Sequence, residues 1–224
     1  MLPIGMASDM KTQAQRLAQR ISASTGLKDE RILRAFASVP RHEFLPEAQR
    51  SHAYEDRALP LDDGQTISQP SMIAIMLEAL DCQPGLRALE VGAGSGYAAA
   101  VLGQLVGEVY TVEVRPALAE LARQNIAHSE LQNVHVVQGD GSQGLPEHAP
   151  YDRILVSAAP DRVPGALVEQ LAVGGKIAIP VGDDHAQTLL VGRKTGPNSV
   201  DWQKTVPCIF VPLVSGDVNH VARS

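Results

Sequence analysis

The chain has 224 residues, long enough to bury a full core. It is 44% hydrophobic and 20% charged, which argues against disorder and against a membrane-spanning chain. A net charge of −6 argues against the broad basic surface of a nucleic-acid binder, so neither nucleic acid nor membrane is an expected partner.

The first eighty-five residues read as helical and irregular. Met10 to Ile21 suits an amphipathic helix with Leu17 and Ile21 on one face. Asp29 can cap a second helix carrying Ile32, Leu33, Phe36 and Ala37, which Pro40 stops. Residues 41–65 hold Pro46, Pro60 and the pair Asp63-Gly64, a loop with short extended pieces. His42 and His52 lie in it near the expected substrate segment and read as surface residues, and the cluster Glu55-Asp56-Arg57 reads as an ion pair or a substrate contact, with a structural role the default. Ser71 to Leu80 is a helix rich in Met, Ile and Leu, closed by Pro84-Gly85.

From Leu86 the pattern alternates between strand and helix. Strand 88–91 precedes helix 95–105, and strand 109–112 precedes helix 116–128, which Pro116 starts well because it needs no N–H there. Strand 134–137 is followed by a loop, then strand 153–157 and helix 164–171. Gly174-Gly175 reads as a turn into strand 176–180. Two β-rich stretches at the end, 187–193 and 208–213, are expected to pair as a hairpin. Such alternation predicts an α/β, doubly wound, Rossmann-like parallel sheet, with ligands at the carboxyl ends of its strands. One domain is expected: residues 1–85 on the substrate side, 86–182 as the cofactor core, 183–224 as a β-rich extension.

Residues 88–97 carry the strongest chemical signal. Glu90 precedes glycines at alternate positions, Gly92, Gly94 and Gly96. A dinucleotide fingerprint places its third glycine where Tyr97 stands. The run therefore suits an adenosyl group without a pyrophosphate, pointing to S-adenosylmethionine rather than NAD. Glu113, about 20 residues on at the end of the next strand, can accept bonds from both ribose hydroxyls. The bland alternative is a solvated acid capping the next helix. Gly139-Asp140-Gly141 follows the third strand. Asp140 is read as an acceptor for the adenine amino group, although Asp-Gly is also an ordinary turn pair.

Thr66 and Ser68 precede the Met-rich helix, whose first turn suits Pro70. From spacing alone a helix cap is the stronger reading, and a hydroxyl at the cofactor mouth is the sharper one. No histidine has a claim to activate Ser68, so it is not read as an acyl-transfer nucleophile. The seven histidines form no metal pattern, and no metal is expected. Cys82 and Cys208 are far apart and read as free thiols in a reducing compartment. Residues 1–6 form neither a signal h-region nor a basic flank, so a cytoplasmic protein is expected.

Taken together, these residues resemble the protein-L-isoaspartate (D-aspartate) O-methyltransferases, class I methyltransferases. The resemblance is end to end. It runs through Arg34-Ala35-Phe36, Val39-Pro40-Arg41, residues 53–60, Gly64-Gln65-Thr66-Ile67-Ser68-Gln69-Pro70, residues 89–97, 109–113 and 139–141, Tyr151-Asp152-Arg153-Ile154, Gly174-Gly175, Pro180-Val181-Gly182 and Phe210-Val211-Pro212-Leu213. The glycine run is shared by many methyltransferases, whereas the Thr-Ile-Ser-Gln-Pro segment and the Val-Pro-Leu tail are much more specific. Ala93, Ala172-Val173 and Val214 depart from common family residues.

The resemblance implies transfer of a methyl group from S-adenosyl-L-methionine to the free carboxylate of L-isoaspartyl, and D-aspartyl, residues in damaged proteins and peptides. S-adenosyl-L-homocysteine is the other product. It also implies that Ser68 is the active-site residue and that Thr66, Ile67 and Ser68 border the cofactor. Because a carboxylate is already ionised near pH 7, no general base is needed, and Ser68 would orient the acceptor. Two other readings share the cofactor half: a methyltransferase for RNA or a small molecule, and a non-catalytic nucleoside-binding module. The acidic chain argues against RNA. The full set Ser68, Gly92, Gly94, Gly96, Glu113 and Asp140 argues against a non-catalytic module.

Overall fold

The computed structural model describes residues 4–62, 64–183 and 185–216. Helix α1 spans Ile4–Thr25, longer at both ends than its apolar stripe suggested, with Leu17 and Ile21 fully buried. Helix α2 spans Glu30–Ser38, and the Asp29 carboxylate accepts from the Arg31 N–H as its cap. The region expected as loop instead contains two 3₁₀ turns, Arg41–Phe44 and Glu47–His52. After them β1 (Leu59–Pro60) pairs antiparallel with β2 (Thr66–Ile67), and α3 (Pro70–Leu80) follows at once.

The alternating region builds β3 (Arg87–Val91), α4 (Tyr97–Gly103), β4 (Glu108–Glu113), α5 (Pro116–His128), β5 (Val134–Gln138), β6 (Tyr151–Val156), α6 (Gly165–Gln170), β7 (Leu171–Gly182), β8 (Gln187–Gly196) and β9 (Ser199–Cys208). Their sheet order is β5-β4-β3-β6-β7-β8-β9, parallel from β5 to β7 and antiparallel across β8 and β9. The chain winds outward from β3 through β4 to β5, then returns to lay β6 on the other side of β3. That reversal opens a crevice beyond the carboxyl ends of β3 and β6. No described helix is long and apolar enough to cross a membrane.

Alternation along the strands splits the apolar residues between two faces. Ala88, Val109, Leu155 and Ala178 pack with α1 to α4, whereas Leu89, Val112, Ile154 and Ile177 pack beneath α6. The large first cluster ties the N-terminal helices to the sheet, so the segment that carries Ser68 is seated on the same core as the glycine run.

Two expectations at the end of the chain are corrected. Gly174-Gly175 does not turn out of the sheet; β7 runs through it, and the irregularity is absorbed as a register shift against β6. The hairpin partner of β8 is Ser199–Cys208, not residues 208–213. Sequence reading missed β9 because it is a mostly exposed edge strand, Asp201-Trp202-Gln203-Lys204-Thr205 within it, held by main-chain ladder bonds rather than burial. Residues 208–213 turn back instead toward the sheet centre, where Pro212 bridges Ala159 just after β6.

Candidate active site

The glycine run leaves β3 in a tight curl. Gly92, Gly94 and Gly96 have φ of +91°, +53° and +87°, the left-handed region where a side chain is strained. They do different work. Gly92 and Gly94 line a cleft of about 750 Å³ beyond β3 and β4. Gly96 turns the other way: a Cβ there would meet the Ala122 backbone at 3.4 Å, so this glycine lets α4 close on α5.

Glu113 stands in the same cleft at the end of β4. One carboxylate oxygen accepts from the Gly94 N–H at 2.9 Å and the other from the Arg115 N–H at 3.0 Å. The acid thus braces the glycine loop as well as lining the cleft. Glu90 is fully buried one residue before the end of β3. It accepts from the Thr111 hydroxyl at 2.6 Å and the Ser157 hydroxyl at 3.3 Å. Burial pushes its carboxyl up to about 8, against those two hydrogen bonds and with the Glu113 charge adding to the rise.

Thr66, Ile67, Ser68 and Gly141 also reach this cleft. Gly141 is there because a Cβ would strike the Val91 side chain at 2.5 Å. Gly139 and Asp140 do not line it. The Asp140 carboxylate accepts from the Ser142 N–H and hydroxyl on one oxygen and from the Gly216 N–H on the other, tying the loop after β5 to the C-terminal tail.

A second, open groove of about 1510 Å³ lies alongside, walled by Gln69 and Met72 on one side and by residues 185–188 and 207–211 on the other. The two hollows share Thr66, Ser68, Ser157 and Val211. Ser68 is therefore at their junction, and its hydroxyl bonds to no described residue. The capping expectation for Ser68 is overturned. Gln69 occupies the cap position of α3 without a side-chain bond to the helix backbone, and the Asp56 carboxylate, from the preceding loop, accepts from the Ser71 N–H at 2.9 Å.

The cleft fits an adenosyl ligand on this structure's own terms. Ser95 and Tyr97 both line it, and their buried hydroxyls have no hydrogen-bond partner among the described residues. A buried hydroxyl left so is costly unless a ligand completes it.

The model of the protein-L-isoaspartate(D-aspartate) O-methyltransferase family matches residues 12–218. The chain belongs to this family. A protein-L-isoaspartate O-methyltransferase of Roseiflexus sp. (strain RS-1) is 51% identical over 210 residues, 94% of each chain. One from Hyperthermus butylicus is 46% identical over 211 residues, 89% of this chain and 88% of that one. A solved protein-L-isoaspartate O-methyltransferase superposes with a TM-score of 0.83 at 34% identity, covering 91% of this chain and 66% of that one. A Plasmodium falciparum structure of the same description, in complex with S-adenosyl-L-homocysteine, gives a TM-score of 0.79 at 24% identity, covering 91% and 99%. The last likeness concerns the fold.

Within this family fold, several site residues carried no usable sequence signal. Ser157 was legible only as a strand end, yet it sits across the crevice where a Cβ on Gly92 would meet it at 3.6 Å. Asp56, as the cap of α3, and the groove wall from β8 and β9 become part of the site only when distant segments meet.

Proposed function

We propose that this chain transfers a methyl group from S-adenosyl-L-methionine to the free carboxylate of L-isoaspartyl and D-aspartyl residues in damaged proteins and peptides. The observation that carries the reading, beside family membership, is the position of Ser68 between a narrow cleft and an open groove. A ligand buried in one and a peptide lying in the other would meet at its hydroxyl.

Residues 86–182 form the cofactor half in this proposal. Gly92, Gly94 and Gly141 give the close backbone approach, Glu113 accepts from the ribose diol, and Glu90 forms the floor with Thr111 and Ser157. Thr66, Ile67 and Ser68 border the cofactor from the substrate side. Gly96 and Gly139 shape the two loops, and Asp140, beside the cleft and outside its lining, would take the adenine amino group by releasing the Gly216 N–H that it now holds. The reaction needs no metal and proceeds in the cytoplasm.

When bound, S-adenosylmethionine supplies an electrophilic methyl on a sulfonium. The protein's part is positioning and exclusion of water. The Ser68 hydroxyl, unspent among the described residues, donates to the acceptor carboxylate and orients it. The tail residues Val211, Pro212 and Leu213 line the cleft above it and keep solvent out. Because cation and anion neutralise each other in the transition state, a drier site favours the transfer. Main-chain groups of the segment 66–68 and of the tail would hold the substrate backbone, which suits substrates of varied sequence.

The test is methyl transfer to an isoaspartyl peptide beside its aspartyl twin and a transfer RNA. Methylation of the isoaspartyl peptide alone is expected. Methylation of RNA, or of neither peptide, would overturn the reading.

A further inference from the structure

A buried cation that the chemistry above does not use lies under the reacting segment. Arg41, in the first 3₁₀ turn, is fully buried. Its Nη1 donates to the carbonyls of Ala53 at 2.6 Å and Glu55 at 3.1 Å. Its Nη2 donates to the carbonyls of Arg57 at 3.1 Å and Ser68 at 3.2 Å. The guanidinium also faces the ring of Tyr97, 5.7 Å from its centroid, and Tyr97 lines the cleft. Among the described residues no carboxylate comes within ion-pair distance of it. A charge buried without a counter-ion is costly, and here four carbonyl dipoles and the Tyr97 ring face offset that cost.

The fourth acceptor is the informative one. Ser68 lies between the end of β2 and the start of α3, so no ladder or helix bond claims its carbonyl. Pro70 offers no N–H nearby. The carbonyl and the hydroxyl of Ser68 hang from one Cα. Fixing the first against residues 53–57 restricts where the second points.

We infer that Arg41 is a positioning residue for methyl transfer: its fork clamps the Ser68 carbonyl to the 53–57 loop and so aims the Ser68 hydroxyl at the junction of cleft and groove. This role rests on the reading of Ser68 as the group that orients the acceptor carboxylate. A lysine keeps the charge but lacks the planar fork, so it cannot bridge both segments.

The experiment compares the whole chain with Arg41→Lys, Arg41→Gln, Ser68→Ala and the double variant Arg41→Lys/Ser68→Ala. Arg31→Met is the control, removing a cation that ties α2 to the Cys82 carbonyl and Gln83, remote from the site. Titration with S-adenosyl-L-homocysteine counts the folded molecules, and kcat and KM for an isoaspartyl peptide are taken per folded molecule. Arg41→Lys is expected to keep its affinity for S-adenosyl-L-homocysteine and lose about 10–100-fold in kcat. In the Ser68→Ala background the same change should cost no more than about threefold, because the hydroxyl it aims is gone. Arg31→Met should melt lower with kcat unchanged. Wild-type kcat in Arg41→Lys, or its full loss repeated in the double variant, overturns the positioning role. If Arg41→Lys does not fold, Arg41→Gln, which keeps two N–H donors, is judged by the same criteria. A wild-type chain that methylates no isoaspartyl peptide overturns the functional reading and this role with it; an active wild type with an unimpaired Arg41 variant overturns this role alone.

Discussion

The side-chain amide of Gln187 makes both its hydrogen bonds with one residue, Phe210. Its Nε2 donates to the Phe210 carbonyl at 3.0 Å, and its Oε1 accepts from the Phe210 N–H at 2.7 Å. Gln187 opens β8, and Phe210 begins the tail, so a side chain here takes the place of a strand. Beyond it Val211 accepts from the Ala159 N–H and Leu213 donates to the Ala159 carbonyl, laying the tail between cleft and groove. Gln187→Leu should cost about 1–3 kcal/mol through two buried main-chain groups left unpaired. It should also weaken S-adenosyl-L-homocysteine binding and raise KM for the peptide. Chemical denaturation and calorimetry on one preparation check this. A stability loss with both ligand affinities unchanged would show that the tail's seating does not depend on the clamp.

The Asp56 cap on α3 separates stability from turnover in the neighbouring segment. Asp56→Ala should lower stability by about 1 kcal/mol, the usual effect of losing a helix cap. Ser68→Ala should leave melting unchanged and S-adenosyl-L-homocysteine affinity intact while methylation slows by about 10–100-fold. Full turnover in Ser68→Ala would remove Ser68 from the reacting site.

Glu113 serves the glycine loop and the cleft together, so its loss acts on both. Glu113→Ala should weaken S-adenosyl-L-homocysteine binding by about 1.5–3 kcal/mol for each charged hydrogen bond lost. It should also lower stability modestly, because the Gly94 and Arg115 N–H groups lose their acceptor. Undiminished affinity in a folded variant would refute the ribose assignment.

The raised carboxyl of Glu90 predicts a pH dependence. Its ordinary value is 4.5 and its folded value about 8. Between the two, the unfolded chain has released the proton that the folded protein still holds. Stability from this group is therefore fully present below about 4.5, falls as pH rises, and levels off above about 8, with a slope of at most about 1.4 kcal/mol per pH unit. Glu90→Gln keeps the shape and has no carboxyl to titrate. The difference in unfolding free energy between wild type and variant, measured in urea from pH 5 to pH 9, should grow in the variant's favour up to about pH 8. A constant difference would mean that Glu90 does not titrate in that window.

What the sequence determined by itself is what depends on neighbours along the chain. The Asp29 cap, the start of α5 at Pro116, the left-handed curl after β3 and the placing of Glu113 at a strand end follow from φ preferences and from apolar periods of two and 3.6 residues. Those local rules carried the parallel sheet, the glycine-lined cleft and the family resemblance. The tertiary structure alone decided which segments meet. Asp56 caps a helix 15 residues on, Arg41 reaches a carbonyl 27 residues on, and Gln187 clamps a residue 23 away. β9 forms as a polar edge because β8 offers it a ladder, and no pattern of its own announces it. Gly96 stands in the same run as Gly92 and Gly94, yet it faces α5. Its partner became known only when α5 packed beside it, because a contact across the fold is set by how the layers close, and no residue type at either end specifies that alone.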